Sequence, residues 1–338
     1  MKLLTEEGVD TAIDIVAEGK KVFEVEIETL NLIKNTLNGD FETLVRMINQ
    51  INGRVIITGM GKSGHIGNKI SATMSSLGTP TYFLHPAEGV HGDLGRITKD
   101  DIVIAISNSG ETDEVLNLIP SIKLIGAKLV SITGKVNSSL EKNSDLSIVL
   151  PIIKEASSYN LAPTTSTTAQ LVFGDAIAVV LSKLLGFKPE NFAVFHPNGA
   201  LGKRLLIKIN DIMLKNEANA VISQDSNLKE AIIEMSSKGL SGINIVNAEQ
   251  KLLGIITDGD LRRLIEKSNH SYDIFEVKVK EIMTTNPITI NKDDLAIKAL
   301  ELMENRPKQI AILPVIDDQQ TVVGMVRVHD ILKAGIVL

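Results

Sequence analysis

The chain has 338 residues, a net charge of -6 at neutral pH and only 3% aromatic residues, with no cysteine and no tryptophan. That length supports two or three domains with their own cores, while interspersed charges and an acidic balance exclude nucleic acid as the main partner, because a phosphate backbone selects basic, aromatic-bearing faces. Without cysteine there is neither a disulfide framework nor a thiolate metal site, as suits a reducing cytoplasm.

The opening residues Met-Lys-Leu-Leu-Thr-Glu-Glu carry no signal-peptide core, and no apolar run approaches the roughly 18 residues of a membrane span, so a cytoplasmic protein with no membrane contact is expected. From Thr5 to Ile51, apolar positions such as Val22, Val25, Ile27, Leu30 and Ile33 recur at helical spacing and break at Asn38-Gly39-Asp40, predicting two helices. A β-branched strand, Val55 to Thr58, then stops at Gly59, and a helix is predicted from about His65 to Leu77.

Between them lies Gly59-Met-Gly61-Lys62-Ser63-Gly64, a loop suited to an anion such as phosphate. Its glycines can take backbone angles that turn N–H groups inward, Lys62 adds a charge and Ser63 a hydroxyl. Gly-x-Gly-x-x-Gly is also the dinucleotide fingerprint, but that site wants an acid at the end of the second strand, and here Thr81 to Leu84 ends in His85-Pro86. A P-loop is excluded as well, because the upstream glycine is missing at the required spacing.

Further strands are predicted at Ile102 to Ile106, Leu129 to Ile132 and Leu146 to Leu150, alternating with helices at about Asp113 to Ile125 and Thr168 to Gly186. Five strands in βαβ alternation predict an α/β domain, a doubly wound five-stranded parallel sheet whose ligands sit beyond the carboxyl ends of the strands. The loops there are the glycine loop, Ser107-Asn108-Ser109-Gly110-Glu111-Thr112, and Lys154-Glu155 with the hydroxyl cluster Thr164 to Thr168. Thr112 reads as a helix N-cap.

Gly59-Met-Gly-Lys-Ser-Gly-His-Ile-Gly67, Glu88-Gly-Val-His-Gly-Asp-Leu-Gly95, Ser107 to Thr112, Leu161 to Thr168 and His196-Pro-Asn-Gly-Ala-Leu-Gly202 resemble, in this order, the sugar isomerase (SIS) domain of D-arabinose-5-phosphate isomerases. The family often has Pro-Gly-Gly after the histidine where this chain has Pro197-Asn198-Gly199. The resemblance implies interconversion of D-ribulose 5-phosphate and D-arabinose 5-phosphate, feeding Kdo and lipopolysaccharide synthesis, without a cofactor and in a homotetramer joined through the apolar N-terminal helices. It implies catalytic roles for Lys62, Glu114, Glu155 and His196. Gly61, Ser63, His85, His91, Ser107, Asn108, Ser109, Glu111, Thr112, Thr164 and Thr165 are the candidate substrate-binding residues.

From Asn210 the pattern repeats with an offset of 70 residues: Asp211-Ile-Met213 recurs as Glu281-Ile-Met283, and Gly254 to Asp260 as Gly324 to Asp330. The copies, each with a helix (Leu228 to Ser236; Leu295 to Glu304), resemble CBS motifs, which predicts an α+β module of tandem CBS domains at about 207–270 and 277–338 after an isomerase domain over 1–206. The resemblance implies a nucleotide or nucleotide-sugar effector held by Thr257, Asp260 and Asp330. Copy two has Arg327 where copy one has the hydroxyl of Thr257, which weakens that half as a site.

Moving a proton between C1 and C2 of an aldose–ketose pair needs a base near carbon, an acid near the oxygens and a cation or donor for the enediolate. Glu155 follows a buried strand directly and is the first choice for the carbon base; Lys62 faces phosphate or oxyanion charge, His196 shuttles protons and Glu114, in the first turn of a helix, completes the candidate set, with His91 and Glu111 in reserve, His91 chiefly as a positioning group. The spacings contain no His-x-x-x-His or His-Glu-x-x-His pair, so no dedicated metal site is expected. Two other readings stay open at this level: a sensor that binds a sugar phosphate without turning it over, and an isomerase of a hexulose phosphate.

Overall fold

The computed structural model describes residues 13–267 and 273–338, and the chain divides between Lys188 and Pro189 into two compact units. The first unit opens with α1 (Ile15–Thr36), started by the Asp14 carboxylate accepting from the Val16 and Ala17 N–H groups, and α2 (Gly39–Gln50), capped by Asn38. The predicted break at Asn38-Gly39 is therefore a cap. The part of the first predicted helix between Thr5 and Ala12 lies outside the described residues.

The chain continues as β1 (Val55–Gly59), α3 (Gly61–Ser76), β2 (Thr81–Leu84), α4 (Pro86–Val90), β3 (Ile102–Ser107), α5 (Asp113–Leu116), α6 (Ile119–Ile125), β4 (Lys128–Thr133), α7 (Ser139–Lys142), β5 (Leu146–Val149) and α8 (Thr165–Leu184). The five strands are all parallel in the order β2-β1-β3-β4-β5. Both faces are covered, as continuous apolar strands demand. Val55, Ile57, Ile104 and Ile132 pack on one side with Ile33, Leu44, Ile70, Phe173 and Ile177, whereas Ile56, Val103, Ala105 and Leu129 pack on the other with Val115, Leu118 and Ile122.

Three details differ from the sequence reading. The helix predicted as one piece from Asp113 to Ile125 is two, because Pro120 supplies no N–H and its ring would strike the carbonyl four residues back. The helix after β1 begins at Gly61, not His65, so most of the glycine loop is a helical first turn. Third, α8 is long and apolar enough by length and composition to cross a bilayer, where the sequence reading finds no such run; Ala169, Phe173, Ile177 and Leu181 are buried in the core.

α8 runs parallel to α3. Lys69 and Asp175 form an ion pair at 2.5 Å, a Cβ on Gly174 would strike Ile70 at 2.4 Å, and near the far ends a Cβ on Gly78 would strike Phe187 at 2.7 Å. Both helices therefore start at the carboxyl edge of the sheet, where ligands bind in this architecture.

The second unit holds α9 (Pro189–Phe195), α10 (Ala200–Leu206) and α11 (Ile209–Ile212), then β6 (Val221–Ser223), α12 (Leu228–Lys238), β7 (Gly242–Val246), β8 (Leu252–Thr257) and α13 (Asp258–Lys267). The second copy follows as α14 (Val279–Ile282), β9 (Thr284–Thr285), β10 (Ile290–Asn291), α15 (Ala296–Glu304), β11 (Ile312–Ile316), β12 (Val322–Arg327) and α16 (Val328–Lys333). β7 and β11, and β8 and β12, keep the offset of 70 residues exposed by the repeat. The sheets are β6-β7-β8-β9 and β10-β11-β12. Leu214 near the start of copy one bridges to Met325 in copy two, while Thr284 near the start of copy two pairs with Ile255 in copy one, so each copy's leading segment lies on the other's last strand. α9 and α10 pack on each other, and α10 meets α15. Residues 189–206, expected with the isomerase domain, thus contact the repeat module.

Candidate active site

The order β2-β1-β3 places the reversal of strand order between β1 and β3, and the crevice at such a point opens between the loops that follow them. After β1, Gly59 leads through Met60 into α3, whose N-terminus presents backbone N–H groups without intrahelical partners and its positive dipole end. Of the three glycines expected to supply unusual angles, only Gly61 has one, with φ of 53° and open space around its α-carbon. Gly59 and Gly64 serve close approach instead: a Cβ on Gly59 would fall 2.9 Å from the Ile106 carbonyl oxygen, and one on Gly64 would fall 2.4 Å from that of Gly59. Lys62 is exposed and Ser63 half-buried in the first turn of α3.

After β3 the hydroxyls of Ser107 and Thr112 lie 2.8 Å apart, the Gly110 N–H donates to Ser107 Oγ at 3.0 Å and the Glu111 N–H to Ser109 Oγ at 3.1 Å. Thr112 occupies the N-cap position of α5 as predicted, but its hydroxyl faces Ser107 and makes no cap bond. Glu111 turns toward α7: its Oε1 accepts from the Ser139 N–H at 2.7 Å, and contacts from Ser139 hold its carboxyl below the ordinary value. Asn108 accepts from Gly134 N–H through its carbonyl, and Leu140 N–H donates to the Gly110 carbonyl. Gly134, Ser138 and Ser139 were not singled out from the sequence, although Ser138-x-x-Glu141 is a capping-box pattern in plain view.

Glu155 follows β5, an edge strand separated from β3 by β4, so the three expected turns do not end three successive strands. Its carboxylate meets the start of α8. Its Oε2 accepts from Thr164 N–H at 2.8 Å, Ser166 N–H at 3.1 Å and Thr164 Oγ1 at 3.2 Å, so Glu155 caps α8 although it lies outside that helix. Partial burial pushes its carboxyl up, but the bonds from Ser166 and Thr164 outweigh this and hold it below its ordinary value. Thr164, expected to bind substrate, spends its hydroxyl between Glu155 and the Ala156 N–H, while Thr165 is buried at the start of α8. His85 and His91 flank α4 beyond β2, both exposed, with His85 edge-on to Phe83, and Glu114 is exposed in the first turn of α5.

A family model described as the SIS domain matches residues 47–180, and the CBS domain matches 209–267 and 279–336. The chain is 45% identical over 316 residues to the arabinose 5-phosphate isomerase KdsD of Francisella tularensis subsp. tularensis, covering 93% of this chain and 95% of that one. The chain belongs to the KdsD family.

KdsD of Escherichia coli K12 is 41% identical, covering 96% of this chain and 97% of that one. Among solved structures, the protein c3406 of E. coli CFT073, in complex with arabinose 5-phosphate, is 42% identical with a TM-score of 0.53, covering 54% of this chain and 98% of that chain. A putative sugar-phosphate isomerase of Listeria monocytogenes is 31% identical with the same TM-score, again covering 54% of this chain and 97% of its own.

In this KdsD-family chain, His196 belongs to the second unit, at the corner between α9 and α10. Its ring stacks on Phe192 with centroids 3.9 Å apart, and Nδ1 lies 3.0 Å from the Phe192 carbonyl oxygen. The corner is tight, since a Cβ on Gly202 would fall 2.1 Å from the His196 carbonyl oxygen. Among the described residues, no three His, Asp or Glu side chains gather as a metal cluster.

In the repeat module, Asp260 Oδ2 accepts from Thr257 Oγ1 at 2.6 Å and from Thr257 N–H at 2.8 Å, and Arg263 pairs with Oδ1. Beside them a cleft of about 750 Å³ is walled by Ile255, Pro287, Ile288 and Ile312, with Arg306 and Lys308 on its rim. The second copy differs: Arg327 donates from Nε and Nη2 to both oxygens of Asp330, each at 2.8 Å.

Proposed function

We propose that the first unit interconverts D-ribulose 5-phosphate and D-arabinose 5-phosphate in the cytoplasm, at the head of the route to the eight-carbon sugar acid Kdo. The observation that carries the chemistry is the Glu155 carboxylate, gripped through Oε2 by the Thr164 and Ser166 N–H groups and the Thr164 hydroxyl at the start of α8. Oε1 is the base that takes a C1 proton from the ketose; the C–H electron pair becomes the enediolate double bond, and return of the proton at C2 gives the aldose.

The first turn of α3 and the hydroxyls of Ser63, Ser107, Ser109 and Thr112 suit the phosphate, with Lys62 offsetting anionic charge. Glu114 is assigned to proton movement between O1 and O2, and His85 and His91 to substrate positioning; a proton-shuttling role for His196 rests on the family resemblance. Gly61, Asn108, Glu111, Thr164 and Thr165 shape the walls.

Assembly as a homotetramer is part of the same reading, supported by Val16, Phe23 and Ile27, which leave an apolar stripe of α1 exposed. So is an adenine nucleotide or nucleotide sugar as effector in the cleft beside Thr257 and Asp260.

Incubation with ribulose 5-phosphate in D2O tests the reaction. Arabinose 5-phosphate carrying solvent deuterium at C2 is expected. Product without label means transfer from C1 to C2 without solvent exchange, by a shielded proton or a hydride, and no turnover of any pentose or hexulose phosphate favours a sensor.

A further inference from the structure

The segment 155–164 leaves β5 and returns to the start of α8, and its hydrogen bonds converge on Glu155. The Glu155 N–H donates to Asn160 Oδ1 at 2.5 Å, the Ala156 N–H to Thr164 Oγ1 at 2.9 Å, and Ser157 and Ala162 exchange two bonds at 2.8 and 2.9 Å. At the tip, Tyr159 and Asn160 both sit in the left-handed region with φ of 58°. Asparagine tolerates that conformation, but for a tyrosine the Cβ crowds the following carbonyl and the backbone is strained. Tyr159 is 91% exposed, so burial of its ring does not offset the strain. What the left-handed pair achieves is to bring the Asn160 side chain back under the main chain of Glu155.

We infer that Asn160 is a positioning residue for the reaction, holding the main chain of Glu155 while Thr164 and Ser166 hold its carboxylate. This rests on Glu155 being the carbon base. With main chain and Oε2 fixed from opposite ends of the loop, the side chain keeps one orientation and Oε1 meets the substrate carbon without reorganisation. Neither hold suffices alone: the carboxylate bonds leave the backbone free to rock, and the backbone bond leaves the side-chain torsions free.

The test compares Asn160→Gly, Asn160→Ala, Asn160→Asp and Glu155→Gln in the full-length protein, with kcat and KM for ribulose 5-phosphate measured across pH. Asn160→Gly accepts the left-handed backbone and removes the acceptor with the rest of the side chain, adding main-chain freedom, and Asn160→Ala removes the acceptor without that freedom. Both it and Asn160→Ala are expected to lower kcat about tenfold with KM within about twofold, the loss set by one hydrogen bond. Asn160→Asp keeps the acceptor and is expected to restore kcat, with the acid limb of its profile moved to higher pH by the added negative charge. Unchanged kcat in Asn160→Gly overturns the inference, as does a KM rise equal to the kcat loss in all three variants, which marks general damage. Glu155→Gln separates the two layers: if it turns over normally, the base assignment itself fails, whereas its inactivity beside a fully active Asn160→Gly refutes only the positioning role.

Discussion

Gly64 packs so closely on Gly59 that a Cβ on the first would fall 2.4 Å from the carbonyl oxygen of the second. α3 can therefore descend onto β1 and aim its N-terminus over the crevice. Gly64→Ala has nowhere to put its methyl group and is expected to lower stability by about 1 to 3 kcal/mol through overpacking against backbone. Gly61→Ala has space but inherits a left-handed φ, so it is expected to cost about 1 to 2 kcal/mol. Thermal or urea unfolding of both variants measures this, and a neutral Gly64→Ala would contradict the packing.

Glu155→Gln keeps the shape and leaves one oxygen to accept from Thr164 and Ser166, while removing the basic oxygen. Turnover is expected to fall by about 10² to 10⁴, the range of a general base, with the fold retained. Steady-state kinetics alongside circular dichroism reads both effects. An equal fall in stability would show that Glu155 matters as a cap rather than as a base.

The depressed carboxyl of Glu155 also sets a pH dependence. Its contribution to stability is fully present above the ordinary carboxylate value of about 4.3 and is lost as pH falls through the lower folded value. The stability difference between the natural protein and Glu155→Gln is therefore expected to be constant near neutrality and to shrink in acid. Unfolding titrations between about pH 7 and pH 3 measure it. For the same reason the base stays ionised near neutrality, and the acid limb of kcat/KM for free enzyme is expected below the ordinary carboxylate value of about 4.3.

The two CBS copies are expected to be unequal. Thr257 and Asp260, bonded to each other, line an open cleft, whereas copy two has the bulky Arg327 side chain in place of the hydroxyl residue, clamped on Asp330. Calorimetry with AMP is expected to report one site per chain, weakened at least about tenfold by Asp260→Ala. Arg327→Thr releases Asp330 and is expected to add a second site. Two equal sites in the natural protein would refute the asymmetry.

Periodicity and turn chemistry carried much of the fold. β2 occupies Thr81–Leu84 as read from the residues, the cap at Asn38 separates α1 from α2, and the repeat offset of 70 residues recurs strand for strand. The sequence was least informative where one residue serves two levels at once. Gly59 and Gly64 are needed for their smallness rather than for a positive φ, and freedom and smallness leave the same letter. Glu111 and Thr164 bond to α7 and to Glu155, and a polar residue in a loop does not announce such a partner.

The sequence by itself determined the five apolar strands, the doubled module and the residue types available for proton transfer, because apolar runs and caps are read within a window of a few residues and the repeat by laying the chain against itself. Strand order was not local: only the tertiary structure put β3 beside β1 and moved β5 to the sheet edge. It alone decided that Glu155 meets the start of α8, and that Asn160 bends back to hold it. Those contacts arise from the parallel packing of α3 and α8 and from a left-handed turn at Tyr159, and long-range register and strained backbone leave no periodic trace in a chain of letters.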